Sequence, residues 1–405
     1  MTVAREEVRP GRAGFAPREG SDGAVPAWQF RHDASHMALL TRRARPLPAG
    51  WGIVSTGSIA HAFANDLALG DGAHVTAVCS REAARAAAFA AGHSGAALSG
   101  KLRSVRPYDD LDAMLADPVV EMIYVASINT AHRETVLRAL DRGRPVLCEK
   151  PLATSAAEAR EMARMARRSR TLLMEAVWTR HLPAVRAARR HLERGRIGRL
   201  VAIRGDLTKR RAFDPASRLF DPGQGGGALL DLGVYPLSLA ILFAGLPDRV
   251  EGRWWANRAG SDSRAEMRLV SGMGDGAVDI QLACGFTDEH RNRFVLQGTR
   301  GAIVLDDTLR PGAITLHDAP LDPLPPVSVR RDALYVVAGW LPGGSSGGRT
   351  ENHPVEGRGL RPQALRMAEC VRDGLTECPD MPLEDSIAAL EVIDAILAEP
   401  PAGRL

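Results

Sequence analysis

From residue 51 onwards the chain alternates short apolar runs with amphipathic stretches. Trp51 to Ser55, Val75 to Cys79, Val105 to Tyr108, Met122 to Ala126 and Pro145 to Cys148 read as successive strands, and Leu172 to Glu175 as a further extended segment. Between them, Ser58 to Leu69, Glu82 to Ala91, Leu111 to Leu115, Ala131 to Arg142 and Ala156 to Arg168 carry helical spacing. Strands alternating with helices in this way predict a parallel, doubly wound sheet.

After about residue 198 the pattern changes. Leu200 to Leu207, Arg249 to Trp255, Ala265 to Val270, Gly276 to Cys284, Asn292 to Gln297 and Ala302 to Leu305 read as strands without helices between them. That pattern predicts a large, mostly antiparallel sheet. Gly223 to Gly227 and Gly343 to Gly348 read as loops, and Arg361 to Gly374 and Leu383 to Leu397 as closing helices. The first 48 residues mix Gly, Pro, Arg and acids without sustained periodicity, so 1–48 is expected to be a disordered extension, with Met37 a plausible true start. The expected division is an α/β domain over 49–176, an α+β substrate and dimerisation domain over 177–398, and a tail over 399–405.

Composition narrows the function. The 405 residues are 45% hydrophobic and 25% charged, with a net charge of +4. Basic residues are interspersed with acids, and no basic stripe with aromatic neighbours stands out, which argues against a nucleic-acid partner. No apolar run approaches the roughly 20 residues of a membrane span. The cysteines at 79, 148, 284, 370 and 378 show no metal-type pairing, so no metal is expected and a reducing cytoplasm fits.

Of the 52 basic residues only Lys101, Lys150 and Lys209 are lysines. Lysine gives up a proton where arginine does not. Lys150 stands where the apolar run Val146-Leu147-Cys148 ends, at the carboxyl edge expected of the sheet, and is a candidate acid/base group; a solvated charge is the alternative. The turn Ser55-Thr56-Gly57-Ser58-Ile59-Ala60 fits the dinucleotide fingerprint G-x-G-x-x-G/A, with Ser55 and Ala60 in the outer glycine positions. Gly57 would let the backbone approach a pyrophosphate, and Ser55 would make the tight turn under strain. The α/β domain is therefore expected to be of Rossmann type. Cys79-Ser80-Arg81 ends the second strand without the acid that would hold a ribose hydroxyl. Ser80 and Arg81 suit a 2′-phosphate, which favours NADP over NAD, unless Arg81 merely opens a helix. Asp231 and Tyr235, four apart, would share a helix face. A lysine nearby would lower the Tyr235 pKa and make the pair a base for a hydroxyl proton. An N-terminal acid and a core tyrosine are the alternative.

Cys148-Glu149-Lys150-Pro151, the turn after Trp51, Met174 to Arg180 and the Asp231/Tyr235 segment together resemble the Gfo/Idh/MocA oxidoreductase family over about residues 50 to 398. Within it the chain is most similar to the dimeric dihydrodiol dehydrogenases, which also oxidise D-xylose with NADP. The resemblance implies catalytic roles for Lys150, Tyr235 and Asp231. It also implies a cofactor-facing loop with Asn129 and His132, cofactor contacts around Glu149, Trp178 and Arg180, and a homo-oligomer formed through the C-terminal sheet. Ile128 stands where the family often has proline, and Gln363 where it often has glutamate. The stretch Trp340 to Arg349 is unexplained by it. The activity so implied is hydride transfer between a cyclic polyol, a sugar or trans-dihydrodiol, and NADP. The alternatives are a non-catalytic dinucleotide-binding regulator on the same fold, or a sugar–sugar oxidoreductase with tightly held NADP.

Overall fold

The computed structural model describes residues 47, 49–96, 102–287, 292–324, 327 and 348–405. The extension 1–46 and the Gly343–Gly347 part of the expected glycine loop lie outside the described residues. The first half is a six-stranded parallel sheet built from β1 (Gly50–Val54), β2 (His74–Cys79), β5 (Arg106–Tyr108), β6 (Met122–Val125), β7 (Val146–Cys148) and β8 (Leu173–Glu175). The two-residue strands β3 (Gly95–Ala96) and β4 (Leu102–Arg103) pair separately. The sheet order is β5-β2-β1-β6-β7-β8, so the connections reverse direction between β1 and β6. Ligands of doubly wound sheets bind at the carboxyl ends of the strands beside such a switch point.

The first helix, α1 (Ser58–Leu67), buries Ala60, Phe63, Ala64 and Leu67, a one-sided stripe at helical spacing. Phe63 stacks on Tyr124 of β6 at 3.8 Å and meets Trp51 of β1 edge-on at 5.3 Å. Each such ring removed from water contributes about 1.5–3 kcal/mol. The helices α2 (Ala83–His93), α3 (Leu111–Ala116), α4 (His132–Asp141) and α5 (Ala156–Ser169) follow the expected spans closely. Ser155 caps α5 by accepting from the Glu158 N–H, while Glu158 accepts from Thr154.

The second half adds α6 (Pro183–Glu193), an arginine-rich helix that the sequence pattern did not reveal. It then forms a nine-stranded sheet ordered β16-β15-β14-β13-β9-β12-β11-β10-β17. Here β9 is Leu200–Thr208, β10 Arg249–Ala256, β11 Asp262–Ser271, β12 Val278–Gly285, β13 Phe294–Gly298 and β14 Ala302–Leu305. Two unexpected strands, β15 (Ala313–His317) and β16 (Arg349–Asn352), extend one edge. Pairing is antiparallel apart from β9 with β12 and β10 with β17. β17 (Gly403–Arg404) lies within what was expected to be a tail, so the chain end is part of the sheet.

Between the two sheets run α7 (Val234–Ala244) and α9 (Leu383–Ala398), preceded in sequence by α8 (Arg361–Arg372). The helical stretch Pro222–Ala244 is long and apolar enough to cross a membrane, but 83% of its most apolar window is buried inside the protein. A helix apolar on all sides is a core helix when surrounded by protein. The halves are tied by single polar groups. The buried Asp66 carboxylate at the end of α1 accepts from the Arg358 and Leu360 N–H groups at 2.7–3.0 Å, and Asp394 of α9 accepts from the Ala156 N–H at 2.8 Å.

Candidate active site

The turn after β1 has the geometry a dinucleotide requires. Ser55 has φ = 95° and its N–H donates to the Cys79 carbonyl at 2.8 Å, which ties the turn to the end of β2. A positive φ on a residue with a side chain is strained, and here the hydrogen bond holds it. A Cβ placed on Gly57 would meet no protein atom nearer than the Ser55 Oγ at 3.8 Å. The fold itself does not demand glycine there. The space it leaves open lies at the N-terminus of α1, where Gly57 is the cap position and no side chain caps the helix, an arrangement suited to a pyrophosphate. Ser58 and Ile59 form the first turn of that helix. Ser80 donates its N–H to the Tyr108 carbonyl at 3.0 Å, and Arg81 is exposed beside it with no ion pair among the described residues. These residues fit a dinucleotide.

At the carboxyl end of β7 the chain turns through a cis Lys150–Pro151 peptide. The Lys150 ammonium donates to the Asp231 carbonyl at 2.7 Å and to Asp231 Oδ1 at 3.0 Å, and lies 5.1 Å from the centre of the Tyr235 ring. Asp231 belongs to a π-helical turn, Leu229–Gly233, that runs directly into α7. This wider turn lets Asp231 and Tyr235 converge on one ammonium, as π-turns often do at functional sites. Trp178 donates its indole N–H to the Tyr235 hydroxyl at 3.0 Å. Among the described residues nothing accepts the proton of Tyr235, so that proton is free to be given to a ligand.

Burial pulls the Lys150 ammonium down, but Asp231, Tyr235 and Glu149 outweigh it and hold the group firmly protonated. Burial pushes the Asp231 carboxyl up, and Lys150, followed by Arg218 and Arg211, brings it below its usual value. The lowered Tyr235 pKa expected from the sequence is not found: burial pushes the phenol up to about 12, and Lys150 only partly opposes this.

Four residues expected to touch a cofactor make polar contacts within the protein. His132 is fully buried, with Nδ1 2.9 Å from the Pro151 carbonyl and Nε2 3.2 Å from that of Ser127. It braces the β6 loop against the Lys150–Pro151 turn and presents no edge to a ligand. The Arg180 side chain is wholly buried, and its guanidinium donates to the Ser238 Oγ and carbonyl and to Asp385, so it joins α7 to α9. Glu149 is buried and accepts from the Tyr124 hydroxyl and the Lys150 N–H. Asn129 donates to the Gly225 carbonyl at 2.9 Å, bridging the β6 loop to the segment before Asp231.

The sequence did not point to Asp262. This buried carboxylate accepts from the Leu229 N–H at 2.7 Å and caps the π-helical turn, and a Cβ on Gly227 would lie 2.0 Å from its Oδ1. Burial pushes its pKa up to about 7. Nothing in its local sequence distinguishes it from a surface turn acid.

Residues 49–177 match an oxidoreductase family with an NAD-binding Rossmann fold, and residues 185–304 match the GFO/IDH/MocA C-terminal domain. Trans-1,2-dihydrobenzene-1,2-diol dehydrogenases from Bos taurus and Homo sapiens are each 31% identical over 352 residues, spanning 85% of this chain and 95% of theirs. Among solved structures, a 3-ketoreductase from Actinomadura kijaniata in complex with NADP and TDP-benzene superposes with a TM-score of 0.69 at 24% identity, covering 88% of this chain and 99% of that one. A levoglucosan dehydrogenase complexed with NADH and L-sorbose superposes at 0.71 with 19% identity, covering 86% and 96%.

Proposed function

The chain belongs to the Gfo/Idh/MocA oxidoreductase family, is a nicotinamide-dependent dehydrogenase, and from that premise we propose that it uses NADP on a cyclic polyol, a sugar or trans-dihydrodiol. The observation that carries this reading is the convergence of Lys150, Asp231 and Tyr235 at the carboxyl edge of the parallel sheet, the same edge as the Gly57 opening. The curated relatives are named for a trans-dihydrodiol, and two of the structural neighbours for a ketoreductase and a sugar dehydrogenase.

When bound, NADP supplies the hydride acceptor for the carbinol carbon. The protein's own residues supply position and a proton path. Lys150 has three N–H donors, two of which meet Asp231. The third is left to orient the reacting oxygen. Tyr235, neutral and with its proton uncommitted, gives that proton to the oxygen during carbonyl reduction. In alcohol oxidation it receives the hydroxyl proton only after losing its own. Trp178 fixes the phenol oxygen.

The choice of NADP rests on Arg81, exposed and without an ion pair among the described residues just after β2, with no acid in the ribose-binding position. One charge-assisted phosphate contact contributes about 1.5–3 kcal/mol, roughly tenfold or more in affinity. NADP should therefore bind at least about tenfold tighter than NAD, and Arg81→Asp should abolish or invert that ratio. Titration of both cofactors into both proteins decides it. Equal native affinities would refute the NADP assignment.

A further inference from the structure

We propose that Arg211 and Arg218 form an anion-recognising subsite at the mouth of the active site, so that the preferred polyol carries a phosphate or carboxylate group. The inference rests on the reading of Lys150, Asp231 and Tyr235 as the reacting centre. It names the class of substrate that this centre serves.

The segment 209–227 leaves β9 as Lys209-Arg210-Arg211 and returns through Arg218 to Gly226 and Gly227, just before Asp231. Its backbone is fixed at both ends. The Lys209 and Arg211 N–H groups donate to the Gly285 and Phe286 carbonyls at 2.9 and 2.8 Å, and the Gly227 N–H donates to the Leu219 carbonyl at 2.9 Å. Gly226 packs so closely on the Arg218 backbone that a Cβ would lie 2.4 Å from its carbonyl oxygen. A ladder of edge-to-face rings, Phe213 on Phe220 at 5.2 Å and Phe220 on Phe286 at 5.4 Å, holds the segment onto the sheet. The Arg218 backbone is thus set against the start of the Asp231 turn, and the positive charges of Arg218 and Arg211 favour the ionised Asp231 carboxylate.

The charges of this segment are not balanced from within. Arg211 and Arg218 are exposed and form no ion pair among the described residues, and neither do Lys209 and Arg210. The segment's two acids face its own backbone: Asp214 accepts from the Ala216 N–H at 2.9 Å, and Asp221 from the Gly223 N–H at 2.9 Å. Asp231 already has Lys150 as its partner. Elsewhere the arginines of this chain are commonly matched to carboxylates, as in Arg204 with Asp279 and Arg366 with Asp380. A neutral diol gains nothing from uncompensated cations at the mouth. An anionic one gains steering and a forked hydrogen-bond partner.

The test compares D-glucose, D-glucose 6-phosphate and D-glucuronate as substrates of the full chain with NADP, in the native protein and in the Arg211→Gln/Arg218→Gln variant. We expect kcat/KM for an anionic sugar to exceed that for glucose by about tenfold or more, the value of one charge-assisted contact. The advantage should shrink as salt is added and collapse in the variant through KM. The phosphate and carboxylate arms tell which anion is preferred. Equal or higher kcat/KM for glucose, or an advantage that survives in the variant, overturns the subsite. So does a rise in the NADP KM as the variant's main defect, because the arginines would then serve the cofactor. If no sugar is oxidised, the dehydrogenase reading loses its support while the subsite is still read by calorimetry. Glucose 6-phosphate or glucuronate binding to the NADP-loaded protein, lost in the variant, supports it, and no binding of either overturns it.

Discussion

Burial pulls Lys150 towards its neutral form, and Asp231 at 3.0 Å, with Tyr235 and Glu149, outweighs that pull. The result is a permanent cation beside a phenol that burial keeps neutral. If Lys150 merely balanced Asp231, arginine would replace it. On the proposed reading the ammonium must also fit against the Tyr235 ring and point one donor at a ligand, which the planar guanidinium fork cannot do. Lys150→Arg is expected to lower kcat by about 10²-fold or more, and Tyr235→Phe by a similar factor. The double variant should lose much less than the product, because the two act as one unit. Steady-state rates on an accepted substrate check this, and near-native turnover of Lys150→Arg would remove it from the chemistry. The pH profile is a second check. With Tyr235 pushed up to about 12, oxidation should speed up with pH throughout the range from neutral to pH ~10, because the proton-accepting phenolate grows there. Lys150 and Tyr235 stand out in the sequence because their types are rare in the chain, and the structure brings them together with Asp231. His132 and Arg180 turn into the protein for a different reason. A motif fixes where a residue stands in the sequence, but the direction of its side chain depends on Pro151, Ser238 and Asp385, which lie far away along the chain.

The alternation of short strands and helices gave the parallel half nearly element for element, because its inner strands are buried on both faces and bounded by amphipathic helices. The antiparallel half was less legible at its edges. β15 buries only Ile314 and Leu316, too short a pattern to stand out after Pro311 and Gly312. The π-helical turn was not legible at all, because what supports it is Asp262, brought from the start of β11. That support depends on pH. The folded protein holds the Asp262 proton up to about pH 7, whereas the unfolded chain releases it near the ordinary 3.8. The native state therefore binds more protons between those values, and this group's contribution to stability falls as pH rises through that window. A rise from 3.8 to about 7 is equivalent to about 4 kcal/mol as an upper bound. Asp262→Asn keeps an acceptor for the Leu229 N–H and cannot ionise. Its melting temperature should drop several degrees less than that of the native protein between pH 5 and pH 8. Parallel drops in calorimetry would show that Asp262 does not titrate in this range.

At the scale of the whole molecule, the chain's last residues close the large sheet. Glu399-Pro400-Pro401-Ala402-Gly403 has two prolines and no periodicity, a pattern that predicts a tail. The structure uses it as an edge. Gly403 and Arg404 pair in parallel with Trp255 and Ala256 of β10. The Ala402 and Leu405 N–H groups donate to the Trp254 and Ala256 carbonyls, each at 2.8 Å, and the Trp254 indole N–H donates to the Glu399 carbonyl at 2.8 Å. A two-residue strand has no pattern to read, and only the register of β10 reveals it. Removing residues 399–405 would strip these three bonds, each contributing about 1 kcal/mol net, and leave the largely buried Trp254 N–H without a partner at a further ~1–3 kcal/mol. It would also bare the Trp255–Ala256 end of β10, lengthening the strand edge open to pairing between chains. A protein ending at Ala398 should melt several degrees below the full chain, and should scatter more light on heating than the full chain does. The same melting temperature and scattering for both proteins would mean that the sheet closes without its last strand.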